Sequence, residues 1–368
     1  MNLEDEILRI KKEWDVQGMS VGLIKNGEVI FCKNFGYANK ESEILVDNTT
    51  LFPIASCTKS FTAALLYQTL IGNKADAQTN LWDLFFTAQE KSEFKYPSVN
   101  FEALASHTSG WNDGDIKQCK EAGSEMIDFE KMKLILSESP LKGKWKYSNE
   151  AYLLMGEIIA KVSNMAPWNH LKNQILLNAN MTQTCSLNEP EQLKCAAIGY
   201  QTSNVGFTRI TPELEKNNTP TASGIWSSAA DLLQWLQLWL NQGELNGQQI
   251  LSQTYIQEAI KMKAIIANED PFKEEKDFFV GYGYGWFVDT HQGVYRVGHS
   301  GSIEGYSCMT GFFPGEKSGF VVLTNQGNSE AVKVFTGLLS DWLLECPSQD
   351  WNTIYKKRKN EFLPLTNN

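Results

Sequence analysis

The run FPIASCTKSFTAALLY, residues 52–67, turns apolar on nearly every side after Ser60, from Phe61 through Leu65, Leu66 and Tyr67 to Leu70. That pattern predicts a buried helix, yet the run opens with Ser56 and, one turn later, Lys59. A serine at a helix start is ordinary capping. A lysine at the head of a core helix is not, because Lys is almost never fully buried unless paired. Three residues apart on a helix, the two side chains share a face. A lysine made partly neutral by burial, or held beside the hydroxyl, can take or relay the serine proton. At a helix N-terminus the macrodipole and the serine's own N–H also favour a developing oxyanion. A capping serine followed by a snorkelling lysine fits the same spacing, so the pair needs support from elsewhere in the chain.

Upstream, SVGLIKNGEVIFCK holds two short β-type runs around Asn26-Gly27, a two-residue hairpin signal. A second β-rich region lies at the far end: residues 282–289, 294–298, 306–313 and 319–325, with PGEK turning between the last two. A helix is expected from about Ser329, with Val332, Phe335, Leu338, Leu339 and Trp342 apolar, stopping before Pro347. Between these ends the chain reads helical. NEAYLLMGEIIAKVS carries Tyr152, Met155, Ile158, Ile159 and Val162 at helical spacing, and SSAADLLQWLQLWLNQG has a capping box from Ser228 to Asp231 and an end at Gly243. The expected class is α/β (α+β): an antiparallel sheet formed by both chain ends and flanked by helices, with an inserted all-helical domain. That division puts residues 1–60 and 221–368 in a discontinuous sheet domain and 61–220 in the helical one.

The 368 residues, 42% hydrophobic and 11% aromatic, are ample for a large core. A net charge of −10 argues against nucleic acid and anionic membranes as partners. The one basic cluster, Lys356 to Lys359, reads as a solvated helix face or tail. Seven cysteines (32, 57, 119, 185, 195, 308 and 346) are odd in number and lack a CxxC pairing, which points to free thiols in a reducing compartment. MNLEDEILRIKKEW is a charged amphipathic helix rather than a signal peptide, and no apolar run has transmembrane length, so a cytoplasmic location is expected. The four histidines (107, 170, 291 and 299) are too dispersed for a metal signature.

Gly18 to Gly22, GMSVG, matches the GxSxG nucleophile elbow, but that motif needs a strand before the serine and a helix after it, and Ser20 is followed by the first hairpin arm. Two other stretches support Ser56 and Lys59. KWKYSNEAY places Tyr147 just ahead of a helix with Asn149 two residues on, where Ser148 or Asn149 would be the N-cap. RVGHSGSIEGY puts His299, Ser300 and Gly301 in the C-terminal β region.

In the order SxxK, YxN, (K/H)xG, the three resemble the serine β-lactamase and penicillin-binding-protein superfamily. The tyrosine-type second motif is similar to the class C β-lactamase-like branch, which also holds family VIII esterases and D-aminopeptidases. TLFPIASCTKSFTA, LASHTSGW (104–111), SGIWSSAADLLQW and the final strands all resemble segments of that branch, in its order, over most of the chain. The resemblance implies a β-lactamase/transpeptidase-like fold with the site in the cleft between the two domains. It implies Ser56 as nucleophile, Lys59 as its proton partner, Tyr147 as general base and Asn149 as an amide contacting substrate and Lys59. Gly301 and His299 would border the substrate, and the N–H groups of Ser56 and Ser302 would form the oxyanion hole. His107 is expected to hold a loop; Trp226, Trp235, Trp239 and Trp286 are expected to be mainly core, with Trp226 and Trp111 as candidates to line the cleft. The informative departure is His299, where β-lactamases usually carry Lys to pair with a substrate carboxylate; a histidine is mostly neutral at pH 7. The expected activity is a serine hydrolase acting through an acyl-enzyme on small esters, amides or peptides, without metal or organic cofactor. A D,D-peptidase or weak β-lactamase is the alternative, with β-lactams as a further substrate class, and a non-catalytic scaffold is the rival from another class.

Overall fold

Asn26 and Gly27 take φ of 52° and 84°, the left-handed pair a two-residue hairpin turn needs and Asn-Gly adopts at low cost. They join β1 (Gly18–Lys25) to β2 (Glu28–Asn39), with Lys25 opposite Glu28. The computed structural model describes residues 2–84, 89, 99–110, 144–186, 189, 191–203, 206–210, 220–266, 280–327 and 330–362. In it the hairpin belongs to a nine-stranded sheet. The other members are β3 (Ile44–Leu45), β4 (Ala264–Ile265), β5 (Gly281–Tyr282), β6 (Phe287–His291), β7 (Val294–Ile303), β8 (Tyr306–Phe313) and β9 (Ser318–Thr324). Their order is β4-β5-β6-β7-β8-β9-β1-β2-β3. β9 runs antiparallel to β1, from Met19 opposite Thr324 to Ile24 opposite Gly319, so both chain ends complete one sheet.

The main helices are α1 (Leu3–Glu13), α2 (Thr58–Gly72), α3 (Asn149–Ser163), α4 (Ala229–Leu240), α5 (Glu330–Leu344) and α6 (Trp351–Phe362). Strand alternation sends Met19, Val21 and Leu23 to one face, where they cluster with Ile7 and Ile10 of α1 and Phe335 and Leu339 of α5. On the opposite face Gly22 lies so close to α4 that a Cβ there would stand 2.8 Å from Leu233 Cδ1. Val321 and Leu323 of β9 join that second cluster, with Phe61 of α2 and Leu232 and Trp235 of α4. The middle of the sheet is covered on both sides, which explains why β1 and β9 are buried along almost their whole length. Trp235, Trp239 and Trp286 are core residues, as expected. Among the described residues no helix is long and apolar enough to cross a membrane.

Three local expectations change. The run 282–289 is not one strand: β5 stops at Tyr282 and β6 begins at Phe287. A Cβ at Gly283 would lie 2.0 Å from Ala259 O, and one at Gly285, where φ is +75°, 2.8 Å from Lys59 O. Gly285 lets this backbone turn against α2 directly behind Lys59, and Gly283 lets it pass close to the carbonyl of Ala259. At α4, Ser148's counterpart Ser228 caps the helix by accepting from Asp231 N at 3.2 Å, but Asp231 does not return the bond. Its Oδ2 instead accepts from Thr184 N (2.7 Å), Gln183 N (2.9 Å) and Thr184 Oγ1 (2.7 Å), tying α4 to the chain before Cys185. The helix also ends at Leu240, and Gly243 (φ +88°) belongs to the turn beyond it.

Candidate active site

Ser56 stands on a short 3-10 turn, Ala55–Cys57, that feeds into α2, rather than in the helix itself. The turn is strained: Ala55 has φ of +43°, a region that costs a residue with a Cβ roughly 1–3 kcal/mol and that persists where its surroundings fix it. The surroundings here are tight. Ile54 N donates to Ile225 O at 2.9 Å, and Cys57 N to Ile54 O at 3.0 Å.

Lys59 is fully buried, at 0% exposure. Its Nζ lies 3.2 Å from Ser56 Oγ, 2.7 Å from Asn149 Oδ1 and 3.1 Å from Ala222 O. It also stands over the Tyr147 ring, 4.8 Å from the centroid, and 5.5 Å from that of Tyr152. These contacts answer the puzzle of a lysine in a core helix: burial is compensated by oxygen acceptors and aromatic faces. The second motif reaches this point through α3. Ser148 is its N-cap, accepting from Ala151 N at 3.1 Å, so Tyr147 precedes the helix and Asn149 opens it. Tyr147 is half-buried, with its ring parallel to Phe287 at 6.5 Å. Three sequence-expected residues (Ser56, Tyr147 and Asn149) therefore meet around the nitrogen of a fourth, Lys59.

The third motif lies in β7. His299 and Gly301 are buried while Ser300 and Ser302 are exposed, the alternation of a strand. A Cβ on Gly301 would lie 2.2 Å from Ile54 O and 3.1 Å from Ala55 Cβ, so β7 presses backbone to backbone on the Ser56 turn, with Ser302 one residue further along. His299 requires a correction. It was expected to face a substrate carboxylate, but it is 1% exposed, with Nδ1 2.7 Å from Ser300 O and Nε2 2.9 Å from Tyr282 OH. A carbonyl only accepts, so Nδ1 carries the proton and Nε2 accepts from Tyr282. Burial first, then the charge of Lys59, holds its pKa down to about 3. The ring is neutral and offers no free N–H to a substrate.

Several functional neighbours were not expected. His107, given only a loop role, is buried with a left-handed φ of 59°. Its Nδ1 accepts from Ser148 N at 3.2 Å, its carbonyl accepts from Lys146 N at 2.9 Å, and its ring lies 4.5 Å from that of Tyr147. It thus holds the whole Tyr147–Asn149 segment. Burial pushes its pKa well below the usual histidine value, keeping the acceptor nitrogen free of a proton. The resemblance of LASHTSGW was the available signal. Ala222 contributes only a carbonyl, which no side-chain pattern announces. Trp226 takes the core place expected of it rather than a place beside the motif residues. It is 3% exposed, stacks edge-on with Tyr306 at 5.7 Å and lines a cavity of about 520 Å³ beside Ile44, Leu45 and Ala197, none of which belongs to the motifs. Trp111 and Cys119 lie outside the described residues. Ser20 is buried in mid-strand, donating to Asn34 Oδ1 at 2.7 Å, and cannot act as an elbow nucleophile.

Among the described residues, His291, Asp341 and Cys346 form one cluster of metal-ligand types. Their chemistry is already committed. Arg296 Nη1 can only donate, and it lies 3.3 Å from His291 Nδ1, which leaves Nε2–H directed at Asp341 Oδ1 at 2.7 Å. Asp341 also accepts from Gln292 Nε2 (2.7 Å), Trp351 Nε1 (2.6 Å) and Gln349 N (3.0 Å). The cluster pins α5 and α6 to β6 and β7, and no lone pair on the imidazole remains for a metal. The six described cysteines are free thiols.

A family model described as Beta-lactamase matches residues 8–337. Protein flp of Staphylococcus aureus is 26% identical over 325 residues, an alignment covering 86% of this chain and 61% of that protein. The chain therefore spans less than two thirds of the length of this relative. The octameric penicillin-binding protein homologue from Pyrococcus abyssi superposes with a TM-score of 0.78 at 26% identity, over 97% of this chain and 80% of its own. A class C beta-lactamase superposes with a TM-score of 0.71 over 95% of this chain and 96% of its own; at 18% identity it speaks for the fold alone.

Proposed function

Since the chain belongs to the Beta-lactamase family, whose members are serine hydrolases, we propose that it hydrolyses small neutral esters or amides, peptides included, through an acyl-enzyme on Ser56. The observation that carries this is the placement of Lys59 Nζ between Ser56 Oγ at 3.2 Å and Asn149 Oδ1 at 2.7 Å, buried from water. Ser56 Oγ attacks the substrate carbonyl while its proton passes to the Lys59–Tyr147 unit. The N–H groups of Ser56 and Ser302 receive the oxyanion, and the same unit returns the proton to the leaving group. Water then attacks the acyl-enzyme by the reverse proton path. Intact motif residues argue against a non-catalytic scaffold.

Preference for uncharged substrates follows from His299, which supplies no positive charge where a Lys would pair with a carboxylate. Likeness to the Pyrococcus abyssi penicillin-binding protein homologue favours the second reading, a D,D-peptidase or weak β-lactamase. Pre-steady-state kinetics separates them. A p-nitrophenyl ester should give a burst of one equivalent followed by turnover, with penicillin and a D-Ala-D-Ala peptide acylating more slowly. Faster acylation by the two carboxylate substrates would favour the second reading instead.

A further inference from the structure

Directly behind the nucleophile two buried thiols face each other. Cys57 and Cys308 are each 1% exposed, and their Sγ atoms lie 3.6 Å apart, a contact rather than a bond. Each thiol crosses from one backbone segment to the other. Cys57, on the Ser56 turn, donates from Sγ to His299 O of β7 at 2.9 Å. Cys308, the β8 residue opposite Gly301, donates from Sγ to Ile54 O at 3.1 Å, just ahead of the left-handed Ala55. Thr310 Oγ1 closes the cluster 3.8 Å from Cys57 Sγ. Gly301 leaves the room these thiols use, since a Cβ there would lie 2.7 Å from Cys308 Sγ.

From this we infer that Cys57 and Cys308 are positioning residues that hold the strained Ser56 turn against β7, and so fix the spacing between the N–H groups of Ser56 and Ser302. The inference rests on the proposed acyl-enzyme mechanism, in which those two groups stabilise the oxyanion. Donors act there only when preset to where charge develops, so a small drift of the turn weakens the transition state more than substrate binding. Both thiols are suited to this: a small, weakly polar side chain fits between two backbones while still donating one hydrogen bond.

The test compares Cys308→Ala and Cys308→Ser with the wild type in three readouts: kcat against KM on a p-nitrophenyl ester, affinity for an arylboronic acid that forms a tetrahedral Ser56 adduct, and Tm. Cys308→Ala should lower kcat and boronate affinity about ten-fold or more, short of the 10²–10³-fold that follows removal of an oxyanion donor, with KM within two-fold. Cys308→Ser, whose hydroxyl also donates to Ile54 O, should recover most of both. If Cys308→Ala does not fold, Cys57→Ala and Cys57→Ser report on the matching bond to His299 O, and recovery by the serine variant still decides. Wild-type kcat and boronate affinity in a folded alanine variant, or serine variants as impaired as alanine ones, would overturn the inference while leaving the mechanism intact. A wild type that neither acylates nor binds the boronate would overturn the mechanism and this inference together.

Discussion

Two of the oxygens around Lys59 Nζ, Asn149 Oδ1 and Ala222 O, can only accept, so two of its N–H bonds are directed at them and the remaining position faces Ser56 Oγ. In the neutral amine that position is a lone pair aimed at the serine hydroxyl; in the ammonium it is a third donor, and Tyr147 would then act as base. Free lysine and tyrosine both titrate near ~10, so neither is a good base alone at neutral pH. Acting as one unit, they should show strong non-additivity. Lys59→Ala and Tyr147→Phe should each lower kcat by at least ~10²-fold, and the double variant little further; additive losses would show that the two act separately. His299 gives the second residue-scale prediction. Its pKa is held down to about 3 in the fold, whereas in the unfolded chain it is near ~6.5. Below ~6.5 the unfolded chain therefore binds the proton first, and stability present at neutral pH is lost as pH falls toward 3, at up to about 1.4 kcal/mol per unit. The unfolding free energy from urea titrations should fall between pH 7 and pH 4.5 by ~2–3 kcal/mol more in the wild type than in His299→Gln. Equal losses would mean that the ring takes a proton in the folded state.

At the scale of elements, the turn carrying Ser56, the cap of α3 and strand β7 converge on one point from distant parts of the chain. His107 joins the second of these to the loop after residue 105, through the bond from Ser148 N at 3.2 Å. Its removal leaves a buried N–H without its acceptor and a void against Tyr147, a loss of about 2–4 kcal/mol. His107→Ala should also lower kcat at least ~10-fold, because freeing the Tyr147–Asn149 segment blurs the alignment on Lys59. Loss of Tm with unchanged kcat would reduce His107 to a packing residue. Much of this convergence was readable in the sequence: SxxK and YxN named Lys59 and three of the residues around it, and α3 spans Asn149–Ser163 as its periodicity predicts. What the sequence hid were contacts made by backbone or by chemically neutral-looking side chains. Ala222 O, the Cys57–Cys308 pair and the bond of Tyr282 to His299 depend on chain paths that no local pattern encodes. The burial of His299 was missed for the same reason, since only the packing of β5 and β6 over β7 closes it off.

For the whole molecule, closure of the sheet by both chain ends was legible because each end carried strong local signals: Asn26-Gly27 at one, short β-type runs at the other. Their union, β9 beside β1, follows from the need to bury two apolar faces at once. That union supplies the rigid wall against which the Ser56 turn is pressed, so fold and chemistry meet at Gly301. Whether Ser56 is the nucleophile of this wall is tested most directly by peptide mapping after reaction with a fluorophosphonate. The expected result is a single adduct on Ser56, absent from Ser56→Ala and formed at least ~10²-fold more slowly in Lys59→Ala. An adduct on another serine, such as Ser20, or an unlabelled Ser56 in a chain that still hydrolyses esters, would contradict it.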